Sequence, residues 1–188
     1  MVQAKPRFLS FEDYLIYDDG SGLLCELFNG ELIPVPPESG ENVEIAGALF
    51  LAFVAILGRK QVRGHGLELE VRGEPKNRYP DLTILREEHI ALLKPRNTIR
   101  LTMPPPLLVV EVVSPGAIQR ERDYIAKRSQ YQDLGINEYW IVDPPEKTVT
   151  VLEMLATGYQ EVGVFRGDES VSSPTFPMLV LQVDEIFS

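Results

Sequence analysis

The sequence predicts an α/β (α+β) domain, a mixed β-sheet flanked by helices. Short β-like runs alternate with two long helical patterns, the alternation that a layered sheet-and-helix fold requires. One of those helices lies between the strand-like runs 107–113 and 137–142, the order of a strand–helix–strand crossover with parallel strands. The 188 residues, 44% hydrophobic and 24% charged, suit one domain over 1–188 with a sizeable core.

In chain order, Ser10 caps a short helix over 10–15, with Glu12 and Asp13 in its first turn to complement the helix dipole. Asp19-Gly20-Ser21-Gly22 is a turn. Residues 24–33 read as a hairpin around Asn29-Gly30, the strongest short-range signal for a tight β-turn. A proline-rich break over 34–40 leads into a long helix over 39–57. Ile45, Leu49, Phe50, Phe53, Val54, Ile56 and Leu57 leave that helix almost no polar face, so it should be hidden on most sides. A sheet can cover one side, and a partner subunit is the candidate for the other, which predicts a homodimer.

Residues 67–71 alternate like a strand, and 79–85 form another, entered through Pro80. A short helix is expected over 86–93. After Pro104-Pro105-Pro106 comes 107–113, the most β-like run of the chain, stopped by Ser114-Pro115-Gly116. Residues 120–134 read as a helix closed by Gly135. Strands follow at 137–142, 148–155 and 159–165, the last two joined around Thr157-Gly158. The tail, with Pro174 and Pro177, ends in a helical turn over 183–187. There is no internal repeat.

The net charge of −10 counts against tight, non-specific DNA binding, which draws on Lys and Arg to neutralise phosphate. A local basic patch is compatible with it, and a carboxylate-built metal site adds negative charge of its own. One cysteine, Cys25, cannot form an internal disulfide. Lys5, Arg7, Glu12 and Asp13 interrupt the N-terminus, so no signal peptide is expected. The apolar stretch 45–58 is shorter than the roughly 20 residues of a membrane span. A soluble, cytoplasmic protein with no membrane partner is the expectation.

Three residues break the pattern. Glu111 stands alone in Leu107-Leu108-Val109-Val110-Glu111-Val112-Val113, a run apolar on both faces. A carboxylate there is costly unless paired or metal-bound; a strand-end glutamate with one wet face fits the run equally well. Lys127 sits with Tyr124, Tyr131 and Leu134 on one helical face, the face that should look inward. It either snorkels past the tyrosines, pairs with Asp123, or serves a site. Asp81 opens a strand directly after Pro80, a weak signal alone.

Tyr79-Pro80-Asp81-Leu82, Val109-Val110-Glu111-Val112-Val113-Ser114-Pro115, Arg122-Asp123 through Lys127 and Tyr131, and Gly135-Ile136-Asn137-Glu138-Tyr139-Trp140-Ile141-Val142-Asp143-Pro144 together resemble the Uma2 family (DUF820). Glu26-Leu27-Phe28-Asn29-Gly30-Glu31-Leu32 is similar to its N-terminal pattern. The resemblance spans nearly the whole chain and implies a PD-(D/E)XK, restriction-endonuclease-like core. It implies that Asp81 and Glu111 bind the metal, Mg²⁺ or Mn²⁺. The superfamily's usual lysine falls at Val113, and the resemblance implies Lys127 as its migrated substitute. Glu44, near the start of the long helix, is a further candidate metal ligand, or else a first-turn glutamate favoured by the dipole. Gln130 is a weaker candidate, and His65 and His89 are too separated for a zinc site.

The function this implies is metal-dependent endonucleolytic hydrolysis of phosphodiester bonds in nucleic acid, DNA first. The alternatives are a non-cutting nuclease fold that binds nucleic acid or protein, and a dimeric assembly module. A Rossmann-type nucleotide binder is disfavoured, since no strand leads into Gly-x-Gly-x-x-Gly.

Overall fold

A computed structural model of the chain describes residues 7–17, 20–114, 116 and 121–188, apart from the side chain of Asp123. The expected features at Lys5, Asp19, Pro115 and Arg120, and the Asp123–Lys127 pair, lie outside the described residues.

The first helix, α1 (Phe11–Leu15), is closed by a capping box in which Ser10 Oγ accepts from Asp13 N–H and the Asp13 carboxylate accepts from Ser10 N–H. Phe11 and Tyr14 pack with Leu27 of a hairpin formed by β1 (Cys25–Phe28) and β2 (Glu31–Pro34). Asn29 and Gly30 turn it with φ of 49° and 79°, two positive values that suit a tight hairpin turn. The chain continues through α2 (Gly40–Leu57), β3 (Val62–Gly64), β4 (Glu68–Glu70), β5 (Asn77–Arg78), β6 (Leu82–Ile84) and α3 (His89–Leu92). Then come β7 (Thr98–Ile99), β8 (Leu108–Val112), a helix α4 (Arg122–Lys127 with Arg128–Leu134), β9 (Glu138–Asp143), β10 (Thr148–Leu155), β11 (Gly158–Arg166) and α5 (Val183–Ile186).

Six strands form the main sheet in the order β11-β10-β9-β8-β6-β3, and β5-β4-β7 form a smaller one. The main sheet is mixed: β8 and β9 run parallel, with α4 crossing between them as expected, and its other pairs are antiparallel. Alternation along β8 divides the interior in two. Leu108, Val110 and Val112 join a core with Ile45, Leu49 and Phe53 of α2 and with the C-terminal tail. Val109 and Val113 join a second core under α4 and the small sheet. Each fully buried aliphatic or aromatic side chain stabilises by about 1.5–3 kcal/mol, so both faces hold the sheet.

Two expectations about the helices are corrected. Ser39 caps α2 as expected, its Oγ accepting from Asn42 N–H, but only the stripe of Asn42, Ile45, Leu49 and Phe53 is buried. Val43 remains 59% exposed and Leu51 68%, so the chain itself does not hide the helix on most sides. By length and composition alone α2 is apolar enough to cross a membrane, with a mean hydropathy of 1.7 over its 18 residues; here its inner stripe packs on the sheet. The second long helix begins as a π-helix, Arg122–Lys127, and continues as an α-helix, Arg128–Leu134; together they make α4. Gly135 ends it at φ 74°, ψ 35°, the left-handed conformation that glycine adopts without steric cost.

Buried carboxylates tie the layers together. Glu138 on β9 accepts from Trp140 Nε1, Ser173 Oγ and the Thr175 N–H, fastening the tail to the sheet. Glu68 on β4 accepts from Tyr14, Asn77, Tyr79, Thr98 and Arg96, fastening α1 to the small sheet. His89 is fully buried at the start of α3. Its Nδ1 accepts from Arg86 N–H at 3.2 Å and its Nε2 donates to the Pro104 carbonyl at 2.9 Å, an arrangement that requires neutral imidazole.

Burial pushes the His89 imidazole below its ordinary value of 6.5. The unfolded chain therefore takes up this proton first as pH falls, so the contribution is fully present above pH 6.5 and is lost toward acid. The urea midpoint of the wild type should fall on acidification below pH 6.5, with a shallower slope in His89→Gln. Equal slopes in the two proteins would remove His89 as the cause.

Candidate active site

Asp81 sits at the bend just before β6, whose first residue, Leu82, pairs with Val110 of β8, and its carboxylate reaches the backbone of Val112, the residue next to Glu111. The two acids are close enough for the Glu111 charge to act on Asp81. Both are buried, Asp81 at 6% exposure and Glu111 at 1%. Alternation along the strand turns Glu111 away from α2 and toward α4.

From α4, Lys127 Nζ donates to Glu111 Oε2 at 2.7 Å, and the Tyr131 hydroxyl donates to Oε1. Lys127 is itself buried, so its ammonium does not snorkel to solvent. Burial and the Glu111 charge push the Tyr131 hydroxyl well above the ordinary tyrosine value, which keeps it a donor. Tyr124, expected on the same stripe, donates instead to Asp143 Oδ2 at 3.0 Å and anchors the N-terminal part of α4 to the end of β9.

Asp81 Oδ2 accepts from Val112 N–H at 2.7 Å, and Oδ1 stands 3.9 Å from His65 Nδ1. Burial first, then the Glu111 carboxylate, push the Asp81 carboxyl up to about 8; Lys127 and the Val112 N–H pull the other way, and Glu38 adds to the rise. The structure thus gathers Asp81, Glu111 and Lys127 at one place.

Glu44 is not among them. It is exposed and lines a different groove, with Pro144 and Lys147. The reason is helical phase: two residues beyond Asn42, it points about 200° around the helix from the residue that faces the site. The acid that does reach the site's rim is Glu38, on the residue before the α2 cap. Asn42 Nδ2 donates to Glu38 Oε2 at 3.1 Å and also reaches the Val112 carbonyl and Ser114 Oγ. Glu38 escaped notice because it lies in the proline-rich break, where no periodicity assigns a direction; its spacing of four from Asn42 was the available signal. Gln130 serves the scaffold, accepting from Arg78 Nε and donating to the Arg72 and Pro75 carbonyls. Among the described residues no three His, Cys, Asp or Glu side chains form a ready metal cluster.

The family model Uma2, described as "Putative restriction endonuclease", matches residues 11–184. The fold is similar to that of a crystal structure described as a putative nuclease belonging to DUF820 from Anabaena variabilis ATCC 29413. The two are 18% identical with a TM-score of 0.71, over 96% of this chain and 98% of that one. No curated protein matches the sequence. At that identity the likeness speaks for the fold, a mixed sheet flanked by helices.

The raised Asp81 value also sets a stability signature. In the unfolded chain this carboxyl ionises near 3.8, so the folded state gives up stability progressively as pH rises from there to about 8. With a chelator present, Asp81→Asn should melt higher than the wild type at pH about 9, by roughly 3 °C or more, and the gap should close toward acid. A variant that melts lower than the wild type across that range would contradict the strain assigned to Asp81.

Proposed function

The chain belongs to the Uma2 family, and on that premise we propose that it is a metal-dependent nuclease hydrolysing phosphodiester bonds in nucleic acid, with DNA as the substrate class. The observation that carries this reading is the pair of neighbouring buried carboxylates, Asp81 and Glu111, with the Lys127 ammonium on Glu111.

The donor set fits a hard divalent cation. Two carboxylates with nearby water and substrate oxygens suit Mg²⁺ or Mn²⁺, which commonly take one or two protein carboxylates and fill the remaining positions otherwise. The elevated Asp81 value agrees with that fit: burial first, and then the Glu111 charge, disfavour the lone carboxylate, and a bound cation offsets both. Such an ion, when bound, polarises the phosphate and lowers the pKa of a coordinated water.

The chain's own residues set the geometry. Val112 N–H fixes the Asp81 carboxylate, and Tyr131 fixes Glu111 on the oxygen opposite Lys127. Val113, 1% exposed in the second core, brings packing and no charge, so the cation must come from elsewhere. Lys127 supplies it, placed to orient the attacking water and to stabilise charge growing on the phosphate. The net charge of −10 favours the rival reading, a nuclease fold that binds without cutting.

Cleavage of DNA by the purified protein with Mn²⁺ should disappear in Glu111→Ala; a wild type that never cuts would favour the rival. Lys127→Ala should cut about 10²-fold more slowly while keeping most of its Mn²⁺ affinity by calorimetry, and Asp81→Ala should lose that affinity. Removing one member of a buried pair costs about 3–5 kcal/mol of stability, so rates are compared well below each variant's melting point. Lys127→Arg should not restore full activity, because the wider guanidinium stays protonated and does not fit the same space.

The assembly proposed is a homodimer through the outer face of α2, where Leu51 and Ala55 are exposed. Two-fold association is the commonest way to cover such a face. Light scattering at micromolar concentration should return twice the chain mass, and Leu51→Glu should return one. A wild-type monomer would end the proposal.

A further inference from the structure

We propose that the groove between α2 and the edge strand β3 receives an unpaired base of the substrate, beside the phosphate held at Asp81. The inference rests on the nuclease reading above and names the form of nucleic acid that the site takes.

The groove has a volume of about 200 Å³; Gly47 and Phe50 of α2 line one wall, Gly64 and His65 the other, and Asp81 and Glu38 stand at its polar end. Both glycines are unexplained by the fold. Neither takes a left-handed φ, and a Cβ built on either would meet nothing within 4 Å. A glycine inside a helix or strand sacrifices stability relative to a residue with a side chain. These two keep open a space that the described residues do not fill.

The chemistry of the walls selects the occupant. Phe50 and His65 place aromatic rings in a predominantly apolar lining, which suits a flat, uncharged ring. Glu38 at the end repels a phosphate inside the groove, so the charged backbone stays at the proposed metal position by Asp81 while the base enters the groove. His65, 3.9 Å from Asp81, stands at the junction of the two. A base in a duplex is stacked on both faces and joined to its complement, so the groove admits one only when it is single-stranded or turned out of the helix. The charge of −10 points the same way, since a protein poor in phosphate contacts needs a source of affinity other than electrostatics.

The test is fluorescence anisotropy with Ca²⁺ supplied, using a short oligothymidylate and a backbone-matched abasic strand of equal length and charge. The wild type should bind the oligothymidylate roughly tenfold tighter, in line with the stacking of a single base. Gly47→Leu, which fills the groove and has room to do so, should bring the two affinities together while melting no lower than the wild type. Gly64→Val fills it from the opposite wall and serves if the first variant folds poorly. Equal binding of both strands by the wild type overturns the groove and leaves the nuclease reading standing. A base preference that survives Gly47→Leu also overturns it, and if that variant turns a dimer into a monomer, the groove belongs to a second copy of the chain. Failure of the wild type to bind either strand overturns this inference and the nuclease reading together.

Discussion

A glutamate paired with a lysine inside a five-residue strand with every position buried is the constraint around which this fold is arranged. Left alone, the Glu111 charge would cost several kcal/mol in desolvation. Lys127 and Tyr131 answer it, and both come from the same helix, so the docking of α4 is specified by polar geometry as well as by grease. Tyr131 does both jobs, donating to Glu111 while its ring meets Tyr139 edge-on at 5.1 Å. Tyr124 on Asp143 pins the other end of the helix. A slide of α4 along the sheet would break all three contacts at once.

The other buried acids show what distinguishes a scaffold carboxylate from a reactive one. Glu68 collects donors from three elements and their flanks, and Glu138 collects an indole, a hydroxyl and a backbone N–H. Each is surrounded by groups that donate and carry little or no opposing negative charge. Asp81 is buried with a second carboxylate beside it and a third at the rim, and its elevated pKa expresses burial first and that crowding second. Negative charge concentrated in a dry place is destabilising for the scaffold and useful to a cation, a common signature of functional sites.

Much of the architecture was legible because local chemistry and tertiary structure agreed. Asn29-Gly30, the Ser39 cap, Gly135 and the 107–113 run each encode their conformation within a few residues. The short strands β3, β5 and β7 were not legible: two or three residues such as Asn77–Arg78 carry no periodicity, and their pairing is decided by distant partners. The π turn was invisible for a related reason, since the apolar spacing of Tyr124, Lys127 and Tyr131 fits an α-helix. At the site, Asp81, Glu111 and Lys127 drew notice as polar residues out of place or by resemblance, and the structure gathers them. Glu44 misled because a helix start says nothing about which way a side chain points, and Glu38 stayed hidden in a segment with no repeat.

The placement of Lys127 divides the site between two mechanical bodies. A charged residue at position 113 would share the hydrogen-bonded ladder with Glu111, and its position would be inherited from the sheet. Lys127 arrives instead on α4, through a π-helical turn that holds the chain wider than an α-helix does. The carboxylates and the ammonium can therefore be altered separately by substitution: a change in the helix retunes the cation and leaves the β6–β8 pairing untouched. Such a division makes the site evolvable in parts, with the carboxylate half fixed by sheet geometry and the cationic half free to be tuned, silenced or restored.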